Sequence, residues 1–175
     1  TVTVHGAKNS ALVLMAACIL GKKEILLTNV PRLADVEIMV DVLRSLGAKV
    51  EFVSKNDLLI DPSNINNSVA PYELVTQMRA SFVVMGPLLA RLGEASVSLP
   101  GGCAIGSRPV DFHLKAFQAM GAEIIIEHGN VVAKAAHLKG GKVYMDFPSV
   151  GATQNAMMAA CLADGTTVIQ NAALE

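Results

Sequence analysis

The sequence holds no tryptophan, two tyrosines and five phenylalanines among 175 residues, so its core has to be filled by Ala, Val, Leu, Ile and Met rather than by rings. That composition, 52% apolar with 4% aromatic, favours thin, closely packed helices and strands. Charge is scarce too: 17% of residues are charged and the formal net charge is −1, which leaves no electrostatic footprint for nucleic acid or an anionic membrane. Any anion has to be held by a few placed cations. The longest apolar run, Ala11 to Leu20, falls well short of the ~20 residues that span a bilayer, so no transmembrane helix is expected. Cysteine is limited to Cys18, Cys103 and Cys161, an odd number with no CxxC spacing, which argues against a disulfide framework or a zinc site and favours a reducing cytoplasm. His5, His128 and His137 have no partners at metal-ligand spacing and read as surface or turn residues, so no metal and no cofactor is expected.

What the chain does contain is an internal repeat. Lys8 to Thr28, Arg79 to Ser98 and Gly151 to Gln170 each read as a small-residue helix without charges in its middle, a glycine, and a short β-branched strand. The glycines fall at Gly21, Gly93 and Gly165, 72 residues apart each time. The first two strands are followed by a second helix with apolar residues at helical spacing, Val36, Met39, Val40, Leu43 and Leu46 in one copy and Val110, Leu114, Phe117 and Met120 in the other. Gly47 and Gly121 stop these helices in the left-handed conformation that glycine permits. Two short strands then follow in each copy, Lys49 to Val53 with Asp57 to Ile60, and Glu123 to Glu127 with Asn130 to Ala133. The unit is helix, strand, helix, strand, strand, and its third copy stops at Glu175 after one strand. With little polar face on the first helix of each unit, the three helices are expected to be buried together with sheets around them: a pseudo-threefold, inside-out α/β fold forming one domain over residues 1–175.

The loop from Leu99 to Asp111, LPGGCAIGSRPVD, carries the chemistry. Its glycines let the backbone approach a ligand, and Pro109 at a first helical turn leaves helix N-terminal amides free for an anion beside Arg108. A guanidinium and a helix start near Cys103 would lower a thiol pKa from its reference of about 8.5, suiting it to donate a proton or to attack. Cys18 and Cys161, among alanines, read as packed core thiols. Lys8 with Asn9 and, at the corresponding point of the next copy, Arg79 stand at helix starts, where a cation opposes the macrodipole unless an anion compensates. Ser149, Val150 and Gly151 occupy the same corner of the third copy. Asp111 at a helix start suits capping as well as ligand binding.

Gly6-Ala7-Lys8-Asn9, Met78-Arg79-Ala80-Ser81, the Cys103 loop with Arg108-Pro109-Val110-Asp111, and Ser149-Val150-Gly151-Ala152-Thr153 together resemble, in order along the whole chain, the motifs of bacterial UDP-N-acetylglucosamine 1-carboxyvinyltransferases. The resemblance implies the enolpyruvyl transferase fold, an inside-out α/β barrel, as one lobe of a two-lobed enzyme whose second lobe is absent here. It implies phosphoenolpyruvate and UDP-N-acetylglucosamine as substrates, bound between the lobes, transfer of the enolpyruvyl group to the sugar 3-hydroxyl with release of phosphate, and a first committed step of peptidoglycan synthesis. By the same motifs Cys103 is the general acid and the residue that fosfomycin alkylates. Lys8, Asn9 and Arg108 hold phosphoenolpyruvate, while Asn9, Arg79, Arg108, Pro109, Val110, Asp111, Phe112, Ser149, Val150 and Gly151 hold the nucleotide sugar. Some members carry a lysine two residues before the serine of the Ser-Val-Gly motif; here Phe147 stands there, and no nucleotide contact carries over to it. Two other readings compete: a non-catalytic nucleotide-sugar-binding module of the same fold, and a thiol hydrolase in which His113 serves Cys103 as base.

Overall fold

The computed structural model describes residues 6–99 and 110–174 together with residues 2 and 4. The first unit opens with α1 (Lys8–Ala17), which tightens into a 3-10 turn over Cys18–Leu20 and leads to β1 (Ile25–Leu27), α2 (Ala34–Ser45), β2 (Lys49–Phe52) and β3 (Leu58–Asp61). A short helix α3 (Tyr72–Val75) precedes the second unit, which runs through a 3-10 stretch, Arg79–Val84, straight into α4 (Met85–Leu92), then β4 (Glu94–Ser98), α5 (Asp111–Ala119), β5 (Glu123–Glu127) and β6 (Asn130–Lys134). The third consists of β7 (Lys142–Tyr144), α6 (Val150–Ala160) and β8 (Val168–Gln170).

The two complete units build the same sheet. In each, the last strand is central and antiparallel to both neighbours, giving the orders β1-β3-β2 and β4-β6-β5. Ile60 faces Ile25 on one side and Val50 on the other; Val131 likewise faces Val97 and Ile126. Alternation puts Leu58, Ile60, Val131 and Ala133 fully inside. The expected helix faces are buried as well, from Val36 through Leu46 and from Val110 through Met120. Gly47 and Gly121 stop α2 and α5 with φ of 108° and 89°, and the β5–β6 turn is made by His128 at φ 50° and Gly129 at φ 78°, the left-handed pair a two-residue hairpin demands.

Four features depart from the sequence reading. A strand before the helix belongs to the repeat: β7 pairs in parallel with β8, and Val69 pairs in parallel with Ser96 of β4. These pieces are three residues long or less, too short to show a period. Gly21, whose conformation the sequence left open, ends its helix at φ −75°, and its missing side chain makes room, since a Cβ there would lie 2.8 Å from Ile25 Cδ1. Cys18 is buried as expected, and burial pushes its thiol up to about 11, but Cys161 is exposed. It stands at the C-cap of α6, past the buried part of that helix.

The third correction explains this. Burial of the three first helices is deepest in the middle one, in which Met85 through Leu89 are all inside; α1 exposes Leu14 and α6 exposes Met157. α4 lies between the other two, packed on α6 and on the 3-10 turn that ends α1. Last, the second unit's first helix begins as a 3-10 stretch and becomes α-helical only at Met85. Among the described residues no helix is long and apolar enough to cross a membrane.

Candidate active site

Helix direction decides what can converge. α1 touches the 3-10 stretch 79–84, the 3-10 turn after α1 touches α4, and Arg91 near the end of α4 donates from Nη1 to the carbonyls of Ile19 and Gly21, both at 2.7 Å. The first two helices therefore run side by side in the same direction, with Lys8 and Arg79 at one end. α5 and α6 join that end through a buried contact between the first turn of α5 and the second turn of α6. Asn155, in the second turn of α6 and fully buried, accepts from the Gly86 N–H at 2.7 Å, donates to the Phe82 carbonyl at 3.0 Å, and meets Nδ1 of His113, in the first turn of α5, at 3.0 Å. Phe82 meets the His113 ring edge-on, centroids 5.1 Å apart.

The sequence motifs thus gather at one end of the helical layer: Lys8 and Asn9 at the start of α1, Arg79 at the start of the 3-10 stretch, Val110, Asp111 and Phe112 at the start of α5, and Ser149, Val150 and Gly151 at the start of α6. Cys103, Arg108 and Pro109 lie outside the described residues, as does the side chain of Arg79. Helix starts grouped this way point free peptide N–H groups in one direction, the arrangement that suits phosphates and carboxylates.

Local chemistry accounts for several of these residues without a ligand. Lys8, which opposes its helix dipole, is met by Asp35 in the first turn of α2, Nζ to Oδ2 at 2.6 Å; the compensating anion lies within the protein, 27 positions away, where no local pattern announces it. Ser149 caps α6, its Oγ accepting from the Ala152 N–H at 3.4 Å. Asp111 makes no cap bond; Val110 occupies the cap position, and Asp111 follows it at the favourable end of the dipole. Lys115, one turn on, pairs with Asp146 just before α6, and that pairing raises the lysine pKa. Phe147, in the position where a lysine was absent, is exposed. Among the described residues no cluster of His, Cys, Asp and Glu could hold a metal ion.

His113 is the residue the sequence reading undervalued. Burial lowers its pKa from 6.5 to about 4, and one ring nitrogen is already engaged by Asn155. An imidazole that weakly basic is a poor general base near neutrality, which argues against the thiol hydrolase reading. Asn155 drew no attention because a single amide in an apolar helix carries no motif.

Comparison with known proteins gives a consistent answer. A family model described as EPSP synthase (3-phosphoshikimate 1-carboxyvinyltransferase) matches residues 1–175. Proteins named UDP-N-acetylglucosamine 1-carboxyvinyltransferase from Finegoldia magna and Gloeobacter violaceus are 59% and 57% identical to the chain over 99% of its length. The chain spans 41% and 38% of those two relatives. Among solved structures, the enolpyruvyl transferase NikO from Streptomyces tendae superposes with a TM-score of 0.80 at 21% identity, covering 95% of this chain and 39% of NikO. An EPSP synthase from Acinetobacter baumannii does so with a TM-score of 0.76 at 17% identity, covering 96% and 39%. The fold is that of the enolpyruvyl transferases.

Proposed function

Because the chain belongs to the EPSP synthase family, whose model it matches from end to end, we propose that it is the cysteine-bearing lobe of a transferase that moves the enolpyruvyl group of phosphoenolpyruvate onto the 3-hydroxyl of UDP-N-acetylglucosamine and releases phosphate. The observation that carries the choice of acceptor is the 55–59% identity, over nearly the whole chain, to relatives named for that substrate. The solved neighbours, at 21% identity or less, speak for the fold alone. A chain that spans about two-fifths of its relatives supplies one wall of a site; a second lobe of the same polypeptide would supply the other.

In this reading the reaction is addition followed by elimination. Cys103 delivers a proton to the methylene carbon of phosphoenolpyruvate while the sugar hydroxyl, giving up its own proton to a base on the second lobe, adds to the neighbouring carbon; loss of phosphate together with a proton from the methyl group so formed then restores the enol ether. Lys8, Asn9 and Arg108 hold phosphoenolpyruvate. Asn9, Arg79, Arg108, Pro109, Val110, Asp111, Phe112, Ser149, Val150 and Gly151 hold the nucleotide sugar, whose phosphates match the grouped helix starts. The reaction calls for neither metal nor cofactor. It would supply peptidoglycan synthesis from the cytoplasm, where three separated thiols stay reduced.

The test is UDP-N-acetylglucosamine-dependent phosphate release from phosphoenolpyruvate by the full-length parent. Cys103→Ala should lower it at least about a hundredfold, the range general acid catalysis supplies. A parent that releases no phosphate with this acceptor, or a Cys103→Ala variant with undiminished release, refutes the assignment.

A further inference from the structure

Donor and acceptor roles around Asn155 leave no freedom. A peptide N–H can only donate and a peptide carbonyl can only accept, so Gly86 N–H fixes which amide atom is Oδ1 and the Phe82 carbonyl fixes which is Nδ2. The second proton on Nδ2 then points to His113 Nδ1 at 3.0 Å, which has to be the bare, accepting nitrogen. The ring proton of a neutral His113 therefore sits on Nε2. Among the described residues nothing bonds Nε2. It lies beside Gly151, where a Cβ would come within 3.6 Å, and the glycine leaves that side of the ring uncovered at the start of α6.

We propose that Asn155 is a positioning residue that locks His113 as a neutral imidazole with its proton on Nε2, and that this N–H is a hydrogen-bond donor for a phosphate oxygen of the nucleotide sugar at the first turn of α6. The tautomer follows from geometry alone; the identity of the ligand rests on the function proposed above. Such a donor adds direction without adding charge, while cations set the charge of the site. The charged groups on the elements packed around His113 are Asp111 and Lys115 on α5, Asp146 paired with Lys115, Lys142 on β7, Arg79 at the head of the 3-10 stretch, and Arg91, held by the Ile19 and Gly21 carbonyls; α6 has none. Burial in turn keeps the ring uncharged down to about pH 4.

Nitrogen-15 NMR of the protein, which has four histidines, reads the tautomer directly. The resonance that disappears in His113→Gln should show a protonated Nε2 and an unprotonated Nδ1 from pH 8 down to pH 5. A proton on Nδ1, or titration near the ordinary histidine value of about 6.5, overturns the lock. Asn155→Asp keeps the acceptor for Gly86 but cannot donate; it should draw a proton onto Nδ1 and move His113 titration above 6.5, and an unmoved titration would remove Asn155 from the device. For the donor, KM for UDP-N-acetylglucosamine in the full-length parent should rise about tenfold in His113→Phe, with kcat changed less than about twofold, and recover in part in His113→Gln, whose amide nitrogen reaches the place of Nε2. An unchanged KM in His113→Phe overturns the donor role and leaves the tautomer standing. A wild-type parent that does not bind UDP-N-acetylglucosamine overturns the ligand and the function together, again without touching the NMR result.

Discussion

The first helical segment, residues 8–20, begins as α-helix and tightens into a 3-10 turn at its end; its counterpart in the second unit, residues 79–92, does the reverse. Both are runs of mostly small and aliphatic residues, but only the second holds a proline, Pro87. The rest of the difference lies in what each touches. In the second segment the bond a regular helix would make between Gly86 N–H and the Phe82 carbonyl is replaced by the Asn155 amide, and Pro87 has no N–H to offer Val83. The first segment has α2 and α4 as neighbours and, among the described residues, no side chain inserted in its ladder. Equal repeats in sequence become unequal in structure when only one lies between the other two.

The comparison can be broken at its strongest point by Asn155→Leu. It strands a buried N–H and a buried carbonyl in the second segment, and chemical denaturation should show a loss of about 4 kcal/mol. Gly86→Ala comes next. A Cβ there would stand 2.3 Å from the Asn155 carbonyl oxygen, so a cost of about 3 kcal/mol is expected, whereas Leu14→Ala, at the same repeat position in the first segment and 54% exposed, should stay within about 0.5 kcal/mol. Equal effects at these two positions would erase the distinction.

The clamp should also have a pH signature. His113 in the folded protein takes up its proton near pH 4, and in the unfolded chain near 6.5, so between those values the unfolded state binds more protons and stability falls as pH falls. The loss should approach about 2–3 kcal/mol by pH 4, measured against a His113→Gln variant in which this component is absent. Smallest is the pair in the first segment: Lys8→Ala should cost about 0.5 kcal/mol, since both partners are partly exposed, and 1 M salt should remove most of that difference.

Much of this architecture was legible in the sequence. The glycine stops at 47 and 121 and the His128-Gly129 turn are local signals, and local signals survive folding. The second helices announced their buried faces because a stripe from Val36 to Leu46 spans three turns. The strand before α6 was illegible, because a three-residue strand such as β7 offers no period. Cys161 was misread because its alanine neighbours describe the helix and say nothing of whether a partner lies outside it. The motif corners were found, but two of their explanations were not: the anion for Lys8 is Asp35, and His113 is held by a residue 42 positions away. Long-range polar pairing leaves no periodic trace in one chain.

Arg91 carries a consequence for how such a molecule can evolve. Its guanidinium closes the carbonyls that end the preceding unit's helix, so the first segment is finished by a side chain encoded in the second. Solenoid repeats can be duplicated or deleted because neighbouring interfaces are interchangeable. Here the joints are individual: the second unit brings an arginine to the first, and the third brings an amide to the second. Recombination that shuffled these modules would leave one helix uncapped and another unclamped, so inheritance has to pass the three along as a single ordered cassette.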